Sequence, residues 1–163
     1  MVIKHEDFVN LRVKTHAWLR SELQALAVKP NARKAAESWP SHEIRFTYST
    51  WTFIVDYPDL DRHNPHWKPH LSVCAYDRRS ADDYDENNGP LLTAHDLSIA
   101  DCGDSERIAM LLSNAWNELR LGDKRPIFFS TEIELPERAE RVDMKIIARG
   151  LVRLAREMSL FLR

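Results

Sequence analysis

Glu43-Ile44-Arg45-Phe46-Thr47-Tyr48-Ser49-Thr50-Trp51-Thr52-Phe53-Ile54-Val55-Asp56-Tyr57 is the stretch that decides the architecture. Ile44, Phe46 and Tyr48 alternate with Glu43, Arg45 and Thr47; Trp51, Phe53, Val55 and Tyr57 then alternate with Thr52, Ile54 and Asp56. Period-two alternation places one apolar and one polar face on an extended chain, so two adjacent antiparallel strands joined near Ser49-Thr50 are expected. The joint is unusual, because tight two-residue hairpins favour residues that accept positive φ, and serine and threonine are poor at this.

On either side the period changes. Upstream, Phe8, Leu11, Trp18, Leu19, Leu23 and Leu26 recur at helical spacing, predicting an N-terminal helix over about residues 5 to 27. Lys29-Pro30-Asn31 ends it, and Ala32 to Ser38 reads as a short second helix stopped by Pro40. Downstream, residues 58 to 69 contain three prolines and read as a loop. Leu71 to Tyr76 predicts a third strand, Arg78 to Pro90 an acidic loop, and Leu91 to Leu97 a fourth strand with Leu91, Thr93, His95 and Leu97 on one face. Asp104 then caps a helix carrying Ile108, Leu111, Leu112, Ala115, Trp116 and Leu119, which Gly122 closes. Ile127 to Ile133 forms a further strand, and Pro136 opens a long helix to about Leu162. The expected fold class is α+β: an N-terminal helix, a mainly antiparallel four- to five-strand meander and two further helices, in one domain spanning residues 1 to 163.

Composition narrows the chemistry. The 163 residues include only 4 glycines, Gly89, Gly103, Gly122 and Gly150, too scattered to build a dinucleotide or P-loop fingerprint. No cofactor is implied. The longest apolar run, Ile108 to Leu112, is far short of a membrane span. The N-terminus becomes charged before any signal-peptide core forms, and Cys74 and Cys102 are the only cysteines, which together suggest a reducing, cytoplasmic location.

The net charge of −2 conceals an asymmetry. Residues 56 to 106 hold 12 acidic and 4 basic side chains, whereas both flanks are mildly basic. This acidic middle, with Asp59, Asp61, Asp82, Asp83, Asp85 and Glu86 and the aromatics Tyr57, Trp67 and Tyr84, is the candidate contact surface for a protein partner carrying basic charge. An inhibitor or accessory factor of a nucleic-acid-handling machine fits such a surface. The expected mode of action is therefore non-enzymatic, and no membrane is involved.

Two other constellations compete. His63, His66 and His70, with Cys74 four residues on and Asp59 and Asp61 nearby, carry ligand types that bind zinc and related metals, and so suggest a metal-assisted hydrolase. The spacing matches no zinc pattern. His70-Leu71-Ser72 resembles one element of the two-histidine phosphoesterases, which require a second element that the chain lacks. The loop from Asp83 is not an EF-hand, because glycine falls at position 7 and Ala94 at position 12.

In the last helix Arg141, Lys145, Arg149, Arg153 and Arg156 recur every three or four residues, a basic stripe that suits nucleic acid or an acidic protein. The opposite positions, Ile147, Leu151, Leu154, Met158 and Phe161, are apolar. Gly150 sits within this helix at a cost of about 1 kcal/mol relative to alanine, which points to another element, or a second copy of the chain in a homodimer, approaching the backbone there.

Overall fold

A computed structural model describes residues 3–26, 28, 31–33, 43–77, 91–119 and 128–161. The elements run α1 (His5–Ala25), β1 (Asn31–Arg33), β2 (Glu43–Tyr48), β3 (Trp51–Asp56), β4 (His70–Asp77), β5 (Leu91–Thr93), α2 (Ile99–Cys102), α3 (Ser105–Leu119), β6 (Phe128–Glu134) and α4 (Arg141–Phe161). The class is α+β, with one mixed sheet in the order β1-β2-β3-β4-β6-β5.

The β2–β3 hairpin is the one the alternation predicts. Ile44 pairs with Val55, Phe46 with Phe53 and Tyr48 with Trp51, leaving Ser49 and Thr50 as the turn. Ser49 takes φ 55°, so the turn obtains its left-handed residue from a serine rather than a glycine. Register carries the apolar rows onward. Phe53 faces Ala75, Val55 faces Val73, and on β6 these continue to Phe129 and Thr131. This face is closed by the helices: Phe46, Phe53, Val55, Val73, Ala75 and Phe129 are buried. On the other face Arg45, Ile54, Cys74 and Ser130 form a half-buried row.

Two departures from the expected meander arise from strand pairing. β6 enters between β4 and β5 and pairs antiparallel with the first and parallel with the second. β5 is also short, with Leu97 adding only an isolated bridge to Ile133. Leu92, Ala94 and Leu97 point inward there, whereas Thr93 and His95 are exposed. The second departure is Asn31–Arg33. These residues add an edge strand to β2, Ala32 opposite Ile44, where a short helix was expected; the rest of that expected helix lies outside the described residues. Helix propensity differs by only tenths of a kcal/mol among such residues, and the open edge of β2 offers backbone partners that outweigh it.

The helices follow their local signals. Glu6 and Asp7 occupy the first turn of α1, where the helix dipole favours negative charge, and Phe8, Leu11, Thr15, Leu19 and Leu23 form its buried stripe. Asp104 caps α3 as expected, its Oδ1 accepting the Arg107 N–H at 3.1 Å. Gly122, its expected terminator, lies outside the described residues. α4 begins at Arg141, not Pro136: Asp143 Oδ2 accepts the Glu140 N–H at 2.8 Å, so nucleation falls five residues later. Met144, Ile147, Ala148, Leu151, Leu154, Ala155 and Met158 bury its inner face. No described helix is long and apolar enough to cross a membrane.

Candidate functional site

The proline loop between β3 and β4 is held on three sides. At its start Tyr57 is buried, 5% exposed, and its hydroxyl lies 2.8 Å from Thr15 Oγ1 on α1. Because Thr15 donates to Leu11 O at 2.6 Å, the phenol is the donor between them. Burial drives the Tyr57 phenol above its ordinary range, with the Thr15 hydrogen bond opposing. Tyr57 was an expected contact residue, and its burial removes it from the surface. Midway, Arg12 Nη1 stands 3.4 Å from Asp59 Oδ1 while its guanidinium lies over the Phe8 ring. Near the loop's end Trp67 meets Phe8 edge to face with centroids 5.3 Å apart, and Leu135 N–H bonds Pro69 O at 2.9 Å. Trp67 is therefore half-buried against α1 instead of projecting freely.

Between these anchors the loop makes two tight turns. Asp61 Oδ1 accepts the His63 N–H at 3.0 Å, and Asn64 Oδ1 accepts the His66 N–H at 2.9 Å. His63 and His66 are both exposed. His70 is committed elsewhere: its Nδ1 is 2.9 Å from Lys68 O, and its Nε2 is 3.7 Å from Glu132 Oε1. The three imidazoles do not converge, and Cys74 lies four residues along β4, roughly 13 Å away at strand rise. Among the described residues no group of three His, Cys, Asp or Glu is placed to hold a metal ion.

What the loop does gather is carboxylate. A depression of about 320 Å³ runs between it and the sheet, with His66, His70, Asp96, Glu132 and Glu134 in its wall. Lys68 Nζ is 3.4 Å from Glu134 Oε1, but Asp96 has no ion-pair partner among the described residues. Asp56, Asp59, Asp61, Asp96, Glu132 and Glu134 thus share one end of the sheet, where among the described residues Arg12 pairs with Asp59, Lys68 pairs with Glu134, and Arg62 follows Asp61 in the chain. Glu132 and Glu134 are not among the residues the sequence singles out. Their i, i+2 spacing on a strand is a readable signal, but their neighbours become known only once β6 is paired with β4.

The same topology divides the acidic middle in two. β4 is eight residues long, so His70 and Asp77 stand roughly 24 Å apart. Leu91 pairs with Phe128, which in turn pairs with Tyr76, so Leu91 and Asp77 stand at the same end of the sheet. Asp82, Asp83, Tyr84, Asp85 and Glu86 lie outside the described residues. The anchors of their segment are at the far end from Asp59 and Asp61.

The basic stripe on α4 is similarly subdivided. Arg141 bridges to α1, with its Nε 3.2 Å from Glu22 Oε1 and its Nη2 3.1 Å from Ser21 Oγ. Lys145 is exposed. Arg149, Arg153 and Arg156 line a groove of about 530 Å³ formed with Leu26 after α1 and with Cys102 and Gly103 of the α2 end. The element approaching Gly150 is α2: a β-carbon there would lie 2.7 Å from Cys102 Cβ. Burial, and secondarily Asp101, push the Cys102 thiol up to about 12, so it is no nucleophile. Burial also raises Cys74, with Ser72 and Ser130 opposing. No protein-family model, curated protein or solved structure matches the chain.

Proposed function

We propose that the protein is a non-enzymatic binding protein whose partner is a macromolecule with a basic surface, and that the acidic end of the sheet is the contact. The supporting observation is the array of Asp59, Asp61, Asp96 and Glu132 around a loop braced by Trp67–Phe8, Arg12–Asp59 and Tyr57–Thr15. Pre-ordered charge lowers the entropic cost of association, and like-signed carboxylates steer a cationic partner toward them. A basic surface that otherwise holds nucleic acid is the natural counterpart, which makes an inhibitory or accessory role the fitting mode.

The test replaces Asp59, Asp61, Asp96 and Glu132 together by their amide isosteres. Asparagine at 61 keeps the turn-forming oxygen and asparagine at 59 keeps an acceptor for Arg12, so the loop shape is retained. With the unaltered protein as bait in a host lysate, a basic partner is retained at low salt and released as ionic strength rises. The quadruple amide variant loses it. Equal retention by the variant, or loss only when residues 82–86 are neutralised, overturns the assignment of this end as the contact.

A further inference from the structure

Arg149, Arg153 and Arg156 occupy i, i+4 and i+7 on α4, so their Cα atoms are stepped by roughly 6 and 4.5 Å along one face. None has an ion-pair or hydrogen-bond partner among the described residues, in contrast to Arg141, which is tied to α1. The described walls of the groove they line contain no carboxylate. Three like charges held together without compensation repel one another, and in a concave wall their field is focused on the space between them. The floor is different in kind: Leu26, Ile146 and Val152 supply apolar surface, and Gly103 leaves the backbone uncovered by a side chain.

We propose that this groove binds an organic phosphate, with two or three negative charges on the guanidinium groups and an apolar or aromatic body on the Leu26–Ile146–Val152 floor. Guanidinium groups pair with phosphate oxygens through two parallel N–H donors, and three of them match a di- or polyanionic head better than a single carboxylate. A volume of about 530 Å³ lies within the range of small-molecule sites. A nucleic-acid backbone needs an open track rather than a recess, and the stripe is interrupted as one because Arg141 is engaged with Glu22. The site is separate from the acidic end of the sheet and stands or falls without it.

Calorimetric titration of the full chain distinguishes the sources of such a ligand. The probes are ADP, a soluble short-chain phosphatidic acid and pyrophosphate. At least one of the first two binds with one equivalent and about tenfold more tightly than pyrophosphate, because only they reach the apolar floor. Arg153→Gln weakens that binding by about tenfold or more, as expected for a lost charge-assisted hydrogen bond. Arg156→Gln does the same should the first variant melt early, and Arg138→Gln, outside the groove, changes nothing. Failure of both organic phosphates at about 1 mM, indifference to the arginine variants, or equal affinity for pyrophosphate overturns the proposal. Tighter binding of a single-stranded oligonucleotide with steep salt dependence overturns it in favour of nucleic acid.

Discussion

Replacing Gly150 with alanine inserts one methyl group between α2 and α4. The added carbon would lie 2.7 Å from Cys102 Cβ, 2.9 Å from Cys102 Cα and 3.0 Å from Cys102 O. Carbon atoms pack best at about 3.5–4.0 Å, so the overlap at the nearest pair is about 0.8–1.3 Å. Two of the three atoms are backbone and the third is a Cβ, so no rotamer change relieves the contact. Overpacking of this rigid kind costs about 2–3 kcal/mol, and the helix propensity of alanine returns about 1 kcal/mol. Gly150→Ala is therefore expected to destabilise by about 1–2 kcal/mol, lowering the melting temperature by about 2–8 °C. Gly103→Ala is the internal control: its β-carbon meets nothing nearer than 3.5 Å and the backbone is right-handed, so its effect stays within about 0.5 kcal/mol. Urea unfolding of both variants measures the difference, and thiol labelling provides a second readout. Cys102 is 1% exposed and barely ionised, and it becomes more reactive if α2 is pushed off α4. A Gly150→Ala protein as stable as the parent would refute the close packing of these two helices.

Other perturbations probe the supports of the loop and of α2. Tyr57→Phe removes a buried hydrogen bond to Thr15 and should cost about 0.5–1.5 kcal/mol in urea unfolding; no change would mean that Tyr57 does not anchor the loop. Ser98→Ala breaks a capping box in which Ser98 and Asp101 each accept the other's N–H, and should cost about 1 kcal/mol. Partial burial acts to raise the Asp101 carboxyl, but hydrogen bonds from Ser98 and Arg107 outweigh it and hold it below the usual range. Its stabilisation is thus present above the ordinary carboxylate value and lost as pH falls through the lowered one, a slope that Asp101→Asn should flatten in acid unfolding. His16 is lowered by burial, opposed by the Glu43 carbonyl and aided by Arg20. Below pH of about 6.5 the unfolded chain takes up that proton first, so stability declines as pH drops and His16→Gln should decline less.

How far the residues spoke for themselves depended on the range of the interaction. The hairpin, the stripes of α1 and α4, the Asp104 cap and the close approach at Gly150 are encoded within a few neighbours and were legible. Pairing between distant segments was not. Nothing local in Phe128–Glu134 says that it enters between β4 and β5, and that insertion is what brings Glu132 to His70 and Asp96 to the proline loop. Tyr57 was legible in part: its place in the Trp51, Phe53, Val55 row puts it on the apolar face, whereas the partner that anchors its hydroxyl, Thr15, lies 42 residues earlier. The turns at Asp61 and Asn64, each closed by a side-chain oxygen on the N–H two residues on, follow from local Asx chemistry, but where they leave His63 and His66 relative to His70 depends on the fold.

The position of β6 also dictates an order of assembly. A growing chain can zip β2, β3 and β4 together as soon as Asp77 is made, using partners no more than 26 residues apart. β5 has no neighbour until β6 has been made, and its only ladder is that parallel pairing. Until then the edge of β4 that β6 pairs with is bare. Closure of the sheet is thus a late, long-range step, slow in the manner of non-local strand pairing. A nascent chain stalled before residue 128 would leave the β4 edge open to pairing with another chain.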